Sequence, residues 1–254
     1  MKKLTYIFFI AVIVLALALF AHIVTKPQSN ALNEATLNPM IEKYLLANPS
    51  ILQTMADALQ NEQQAQQLEQ SSVALVKLHD EIYNDPDNIV LGNPDGDVTL
   101  VEFFDYNCPF CKQVMPHIPA LIDADPNLRI IFKEFPILGE DSVDATRISI
   151  AIYKMGANYW EFHERLYSDR GKINNQKALN IAKDMGISIN ELEKLAASDD
   201  VTRIIQNSYA IAQALNINGT PAFIIGNEII PGAVELEGLQ VRIENMRKCG
   251  KTQC

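Results

Sequence analysis

Apolar residues occur along the chain in two different patterns, and the change between them predicts an α/β domain. Residues 98–104, VTLVEFF, and 128–135, LRIIFKEF, are continuous runs rich in β-branched and aromatic side chains, which is typical of buried strands. Between them, apolar positions follow helical spacing. A strand, a helix and a strand in this order predict a βαβ unit. Residues 85–97, DPDNIVLGNPDGD, are dense in turn formers and are interpreted as the boundary that precedes it.

A long block of helical patterns interrupts this α/β domain. Residues 140–216 have the spacing of several amphipathic helices. Strand patterns return only in TPAFIIG and EIIPG, which predict a hairpin, and a closing helix is predicted over 235–248. The sequence therefore predicts an α/β domain over residues 85–254 with a helical insertion over about 138–216.

The segment before the domain, residues 30–84, is predicted to be a helical arm. Asn-Pro pairs favour helix starts near Pro39 and Pro49, because asparagine caps free amides while proline occupies the first helical position. An apolar stripe runs from Met40 to Leu59, and a polar stretch rich in glutamine follows. The stripe indicates either packing against a partner helix or a flexible spacer.

The N-terminus predicts export. Lys2 and Lys3 precede a run of 22 residues, Leu4 to Thr25, without a charged side chain. A basic flank followed by an apolar stretch is typical of a secretory signal peptide, and the length also suits a helix that crosses a bilayer. Residues 1–25 are thus interpreted as a signal peptide or a signal anchor. Either one places the rest of the chain in an oxidising compartment.

The net charge restricts the classes of molecule that the protein can be expected to bind. At pH 7 the formal net charge is −10. Binding to nucleic acid requires a basic face that neutralises phosphates, so this class of partner is excluded. The hydrophobic fraction of 48% is enough for a substantial core.

The strongest chemical signal is the CPFC motif, Cys108 to Cys111, directly after the first predicted strand. Cys108 is expected at a helix N-terminus, where free amides and the helix dipole stabilise a thiolate. Cys111 lies one helical turn further and is placed to attack the mixed disulfide that Cys108 forms. Pro109 suits the first turn because its missing N–H is not needed there. The spacing predicts a redox-active pair, with a metal clip and an inert disulfide as alternatives.

No metal site or external cofactor is expected. Zinc normally takes four ligands, and the three histidines weighed for this role, His79, His117 and His163, lack a partner at ligand spacing. The other cysteines, Cys249 and Cys254, follow the last predicted helix. They are interpreted first as a tail disulfide, with free thiols and a soft copper-binding pair as alternatives.

FFDYNCPFC, the helical insertion and NGTPAF together resemble the DsbA-like branch of the thioredoxin superfamily, over residues 85–248. The N-terminal arm is similar to that of ScsC-like members, the copper-sensitivity suppressor proteins. This resemblance implies a thioredoxin fold with an inserted helical domain, and a periplasmic location. It also implies that Pro221 follows a cis peptide bond and faces the CxxC motif. Thr220 and Pro221 would then join Pro109 and Phe110 in the active-site loop.

The resemblance further assigns Glu102 and Lys133 to a buried acid–base pair that assists proton transfer at Cys111. Two positions depart from the strongly oxidising members of the family. Phe110 stands where those members have a histidine, and Thr220 stands where they tend to have a valine. Because phenylalanine offers no positive charge to the thiolate, a less oxidising disulfide is expected.

The sequence and the resemblance together predict a periplasmic protein thiol-disulfide oxidoreductase, acting as an isomerase, an oxidase or both. Its expected partners are exported proteins with cysteines, a membrane redox partner, and further copies of the chain, which form a dimer or trimer through residues 30–82. The chain is expected either free in the periplasm after leader cleavage or anchored to the inner membrane by residues 4–25. The alternative function is a copper-binding or client-holding protein without redox catalysis.

Overall fold

The computed structural model describes residues 12–18, 20 and 33–254, and it contains two compact units, residues 1–63 and 64–254. Most of the predicted leader lies outside the described residues; its described part, residues 12–18 and 20, is helical. Within the described ranges, no helix combines the length and the apolar character that a bilayer crossing requires.

The first unit is helical. Helix α1 spans Glu34–Ala47 and helix α2 spans Ser50–Lys77, with the boundary between the units inside α2. The predicted start of α1 near Pro39 is wrong, because Asn33 caps the helix by accepting a hydrogen bond from the Thr36 N–H at 3.0 Å. Pro39 is tolerated inside the helix, which buries no residue. The second predicted start, near Pro49, is confirmed.

A five-stranded sheet in the order β1-β3-β2-β4-β5 forms the centre of the second unit. Strands β2 and β3 pair in parallel, as a βαβ unit requires, and the other neighbours are antiparallel. The predicted strands and hairpin are confirmed, whereas β1 lies inside the segment interpreted as a turn-rich boundary. The strands are β1 Ile89–Gly92, β2 Val98–Phe104, β3 Leu128–Glu134, β4 Ala222–Ile225 and β5 Glu228–Pro231.

The predicted helical insertion is present between β3 and β4. Between β2 and β3, the single predicted helix is two shorter ones, since the chain breaks around Pro116. The helices of this unit after α2 are α3 His79–Tyr83, α4 Pro109–Val114, α5 His117–Ala124, α6 Glu140–Lys154, α7 Tyr159–Ser168, α8 Asn175–Asp184, α9 Ile189–Ala196, α10 Asp199–Ala214 and α11 Leu236–Cys249.

Each face of the sheet carries its own hydrophobic core. Alternate residues of β2 and β3, such as Leu100 and Phe132, point to the face covered by the active-site helices and most of the insertion, whose last helix, α10, also packs on the opposite face. Their neighbours, such as Phe103, point to the other face, where they pack with Leu75 and Ile82. Both of these residues precede the predicted domain start at residue 85. The compact unit thus begins earlier along the chain, at Gln64.

Candidate active site

The CPFC motif lies where β2 passes into α4. Cys108 is the N-cap residue with extended backbone angles, and Pro109 occupies the first turn of the helix. Both cysteines are free thiols and are buried, with exposed fractions of 4% for Cys108 and 1% for Cys111. Phe110 between them is exposed. Of the two cysteines, Cys108 lines the surface groove described below, so a reactant can approach its sulfur from that groove.

The two sulfur atoms have opposite acidities. The pKa of Cys108 is lowered from 9.0 to about 6, above all because the Cys111 thiol donates a hydrogen bond to its sulfur. The Thr220 side chain and the N–H groups of Cys111 and Phe110 lower this pKa further, against the effect of burial. Burial raises the pKa of Cys111 far above its usual range, and Cys108 and Glu102 raise it further. Cys108 is therefore the sulfur that ionises first.

The loop before β4 completes the site. The Thr220–Pro221 peptide bond is cis, which is the geometry that the resemblance implies. The Cys108 thiol lies 3.1 Å from the carbonyl oxygen of Thr220 and donates to it. The Pro221 carbonyl accepts a hydrogen bond from Gly232 N–H at 2.8 Å, which ties the loop to the end of β5. The structure thus brings Thr220 and Pro221 beside Cys108.

The expected pair of Glu102 and Lys133 is not formed. In the parallel register of β2 and β3, Glu102 lies opposite Phe132, while Lys133 lies opposite Phe103, so the two side chains point to opposite faces of the sheet. Glu102 faces the active-site core, and burial, followed by the charge of Cys108, raises its pKa to about 8. The Lys133 ammonium instead donates to the Glu81 carbonyl at 3.0 Å, on the other face.

Burial lowers the pKa of Lys133 to about 8, against the opposing charges of Asp85 and Asp87. Lys133 therefore belongs to the attachment of α3 to the sheet. The correction follows from strand geometry: residues one position apart in register, on neighbouring strands, cannot share a face. Only Glu102 of the expected pair remains near the cysteines.

Asp105 and Asn107, which the sequence reasoning missed, hold the loop that leads to Cys108. The Asp105 carboxylate accepts hydrogen bonds from Leu138 N–H and from the Ser142 hydroxyl, both at 2.8 Å. The Asn107 side chain accepts from Ile173 N–H at 2.8 Å and donates to Ile173 O at 2.9 Å. Their only sequence signal was a polar residue on each side of Tyr106, between the first predicted strand and the motif. These bonds fix the loop that leads to Cys108 to the helical insertion.

A groove beside Cys108 separates the active-site helix from the insertion. Its rim includes Leu138 and Ile173 on the insertion side and Lys112 on α4. The Lys112 ammonium donates to the Asp169 carbonyl at 2.9 Å and so joins the two sides. A polypeptide that approaches Cys108 therefore meets a surface built by both parts of the domain.

The three histidines do not converge on this site. His163 is buried within a cluster of aromatic rings and bonds to the Tyr106 hydroxyl at 3.0 Å, and burial lowers its pKa to about 3. His79 neighbours Asp80 on α3, and His117 begins α5. In the part of the chain that the structure describes, no group of three or more His, Cys, Asp or Glu side chains is arranged to bind a metal ion.

Cys249 and Cys254 form a disulfide at the C-terminus. Their Cα atoms are 6.3 Å apart, and Gly250 turns the chain between them with a φ of 72°. The Asn245 side chain donates to the Thr252 carbonyl at 2.9 Å, which holds this short loop against α11. The tail disulfide is separate from the Cys108 site in the fold.

Solved structures of known proteins are similar to this chain in sequence and in fold. A thioredoxin-like oxidoreductase from Silicibacter pomeroyi DSS-3 is 44% identical, covers 67% of this chain and 98% of its own, and superimposes with a TM-score of 0.65. ScsC of Proteus mirabilis, in a transitional conformation, is 30% identical, covers 85% of this chain and 97% of its own, and has a TM-score of 0.63. The similarity to ScsC therefore includes part of the chain before the domain.

Curated sequences are more distant. The probable disulfide bond formation protein D of Bacillus anthracis is 28% identical over 150 residues, 54% of this chain and 69% of that protein. The chain spans only 25% of the length of another relative, the Na(+)/H(+) antiporter NhaA 1 of Salinispora arenicola, at 26% identity. A sequence model described as the DSBA-like thioredoxin domain matches residues 99–244, which is more than half of the chain. The protein therefore belongs to the DsbA-like family of thioredoxin-fold thiol-disulfide oxidoreductases.

Proposed function

We propose that the protein exchanges disulfides with exported proteins through Cys108 as the nucleophile and Cys111 as the resolving thiol. The observation that carries this proposal is the opposite acidity of the two sulfurs, with a pKa of about 6 at Cys108 and a strongly raised pKa at Cys111. A site that binds metal through both thiols does not need such a difference, whereas stepwise exchange does.

The reaction proceeds in two displacements. The Cys108 thiolate attacks one sulfur of a client disulfide, forms a mixed disulfide, and the second client sulfur leaves as a thiolate. The Cys111 thiol then loses its proton and attacks the Cys108 sulfur, which releases the client as a dithiol and leaves Cys108 and Cys111 oxidised. Glu102, whose buried carboxyl has a raised pKa of about 8, is the proposed acceptor of the Cys111 proton in those molecules in which the carboxyl is ionised, so we expect this step to become faster as pH rises toward 8. The reverse sequence oxidises a client dithiol.

The direction that we propose is isomerisation, with oxidation as a second activity. Stabilisation of the Cys108 thiolate comes from hydrogen bonds, and Phe110 adds no positive charge to it. A less stabilised thiolate corresponds to a less oxidising disulfide, which takes electrons from client dithiols less readily and so disfavours net oxidation. We base the same assignment on Thr220, which stands where the strongly oxidising members of the family tend to have a valine.

We further propose that residues 30–82 assemble the chain into a dimer or trimer. The apolar stripe predicted from the sequence is exposed in the first unit, where Met40, Tyr44 and Met55 each have about 60% of their surface accessible. Several exposed apolar side chains along one stripe are the basis for this proposed association site. In this proposal residues 1–25 are the leader or anchor, residues 30–84 are the arm and residues 85–254 are the catalytic domain. The protein acts in the periplasm together with a membrane redox partner.

The role of each cysteine is tested by trapping. Cys111→Ser retains the attacking thiolate and removes the resolving thiol, so mixed disulfides with exported proteins should accumulate in cells and disappear on treatment with a reductant. Cys108→Ser is the matched control and should collect no adducts. The assignment fails if Cys108→Ser accumulates adducts or continues to exchange disulfides while Cys111→Ser collects none.

A further inference from the structure

An asparagine followed by a glycine lies directly before the residue whose carbonyl contacts Cys108. Asn218–Gly219 is the only Asn-Gly pair in the sequence, and Thr220 comes next. In such a pair the asparagine side chain is readily attacked by the following main-chain nitrogen, because glycine has no Cβ that hinders the approach. The pair is therefore a candidate site of spontaneous covalent change close to the reacting sulfur.

The surroundings of Asn218–Gly219 leave it open to this reaction. Both residues are exposed, in the loop between α10 and β4. Within the part of the chain that the structure describes, neither the Gly219 N–H nor the Asn218 side chain forms a hydrogen bond. A Cβ atom at Gly219 would have no neighbour within 4 Å, so the ring that forms during the reaction has space.

A related pair, Asp95–Gly96, is protected by its packing. It can close the same ring, with loss of water instead of ammonia, but its Gly96 N–H donates to the Asn93 carbonyl at 3.0 Å. A Cβ atom at Gly96 would lie 2.5 Å from the carbonyl oxygen of Asn127, so this turn is packed tightly against the main chain before β3. The fold therefore exposes one reactive pair and shields the other.

We propose that Asn218 is a site of spontaneous deamidation and that its conversion slows exchange at Cys108. The main-chain nitrogen of Gly219 loses its proton and attacks the side-chain carbonyl carbon of Asn218, a C–N bond forms, and ammonia leaves. Water then opens the cyclic imide at either of its carbonyls and gives aspartate or isoaspartate. In isoaspartate the main chain runs through the former side chain and is longer by one carbon atom.

Both products lie where they can change the contacts of the nucleophile. The Thr220 carbonyl accepts a hydrogen bond from the Cys108 thiol at 3.1 Å, and the Thr220 side chain helps to lower the pKa of Cys108. The longer main chain of isoaspartate shifts Thr220, and either product adds a negative charge that disfavours a thiolate. This second step of the inference rests on the proposed thiol-disulfide exchange, whereas the conversion itself does not.

The experiment ages the whole exported chain at mildly alkaline pH, where the main-chain nitrogen loses its proton more readily. Peptide mass spectrometry and enzymatic methylation of isoaspartate measure the conversion in the folded protein and in urea. Asn218 should convert at similar rates in both, whereas Asp95 should convert about tenfold more slowly in the folded protein than in urea. Gly219→Ala is the matched control, because its methyl group hinders the attack and meets no neighbouring atom.

Activity is compared between fresh and aged samples of each protein after renewed reduction. The isoaspartate fraction of the wild type should exchange with a peptide disulfide at a kcat/KM that is lower by about tenfold to a hundredfold. Alkylation of Cys108 across pH should show a raised pKa in this fraction. Aged Gly219→Ala should retain both values of its own fresh sample.

Two outcomes would overturn the inference. One is that Asn218 remains intact in the folded protein while it converts in urea, and the other is that the separated isoaspartate fraction exchanges as fast as the fresh protein. A fresh wild type that exchanges with no disulfide would instead contradict the proposed function, while the mass measurement still decides whether Asn218 converts.

Discussion

Glu102 lies in surroundings that disfavour its charged form. Its carboxyl group is buried among the core side chains behind Cys108 and Cys111, and burial raises its pKa to about 8. Sequence alternation alone permitted a solvent-facing position. The acid–base role came from the resemblance, and the error about Lys133 arose because a motif gives the residue type but not the face of the sheet. A side chain's face follows from register, which only pairing of the strands determines.

The raised pKa of Glu102 predicts how stability depends on pH. Below about 4.5, the model-peptide value, the carboxyl is protonated in both the folded and the unfolded chain. Between 4.5 and about 8 the unfolded chain releases the proton and the folded chain retains it, so this contribution to the free energy of unfolding decreases as pH rises. Glu102→Gln should remove this dependence, which amounts to about 1.4 kcal/mol per pH unit.

Urea unfolding of the reduced protein and of Glu102→Gln, at several pH values between 4.5 and 6, measures the difference between their stability curves. This window lies below the pKa of about 6 at Cys108, whose ionisation gives stability that rises with pH. Glu134, also buried with a pKa of about 8, is present in both proteins and cancels in the comparison. Parallel curves would show that Glu102 is ionised in the folded protein.

At the scale of elements, the sequence predicted the strands and helices whose apolar pattern matches the faces that they bury. Strands β2 and β3 are apolar on both faces because both faces are covered, and their runs predicted them. Strand β1 has only four residues among turn formers, so its pattern was too short to recognise. The attachment of α3 and the end of α2 was also missed, because this short apolar segment lies between the glutamine-rich stretch and the turn-rich segment interpreted as the boundary.

This attachment predicts where the domain can be shortened. A chain that starts at Gln64 retains Leu75 and Ile82 on the sheet, whereas a chain that starts at Asp85 loses both and exposes Phe103 and its neighbours. Loss of two buried aliphatic side chains costs about 3 to 6 kcal/mol. It also removes the Glu81 carbonyl that the buried Lys133 ammonium bonds to.

The chain that starts at Gln64 should therefore have the same urea midpoint of unfolding as the same domain within the longer exported chain. The chain that starts at Asp85 should have a clearly lower urea midpoint. Circular dichroism during urea titration provides the measurement. Equal midpoints for the two shortened chains would mean that α3 and the end of α2 contribute nothing to the stability of the sheet.

At the scale of the whole molecule, the exposed stripe of the first unit predicts assembly. Met40, Tyr44, Met55 and Leu59 each have more than half of their surface exposed, and α1 buries no residue in the isolated chain. Association with other copies of the same helices would bury this apolar surface. Several Cys108 sites held in one assembly raise the effective concentration of the second site once the first has bound a client.

The whole exported chain should be a dimer or trimer by light scattering, and the chain from Gln64 should be a monomer. The monomer should still oxidise small dithiols but lose most of its activity on a protein with scrambled disulfides, because repeated engagement of one client requires a second site nearby. Met55→Glu within the stripe should separate the assembly without shortening the chain, whereas Gln60→Glu, a polar position of the same helix, should not. If the whole chain is a monomer, or if the separated monomer shuffles disulfides as fast as the whole protein, residues 30–82 act as a spacer, and isomerisation is a property of the single domain.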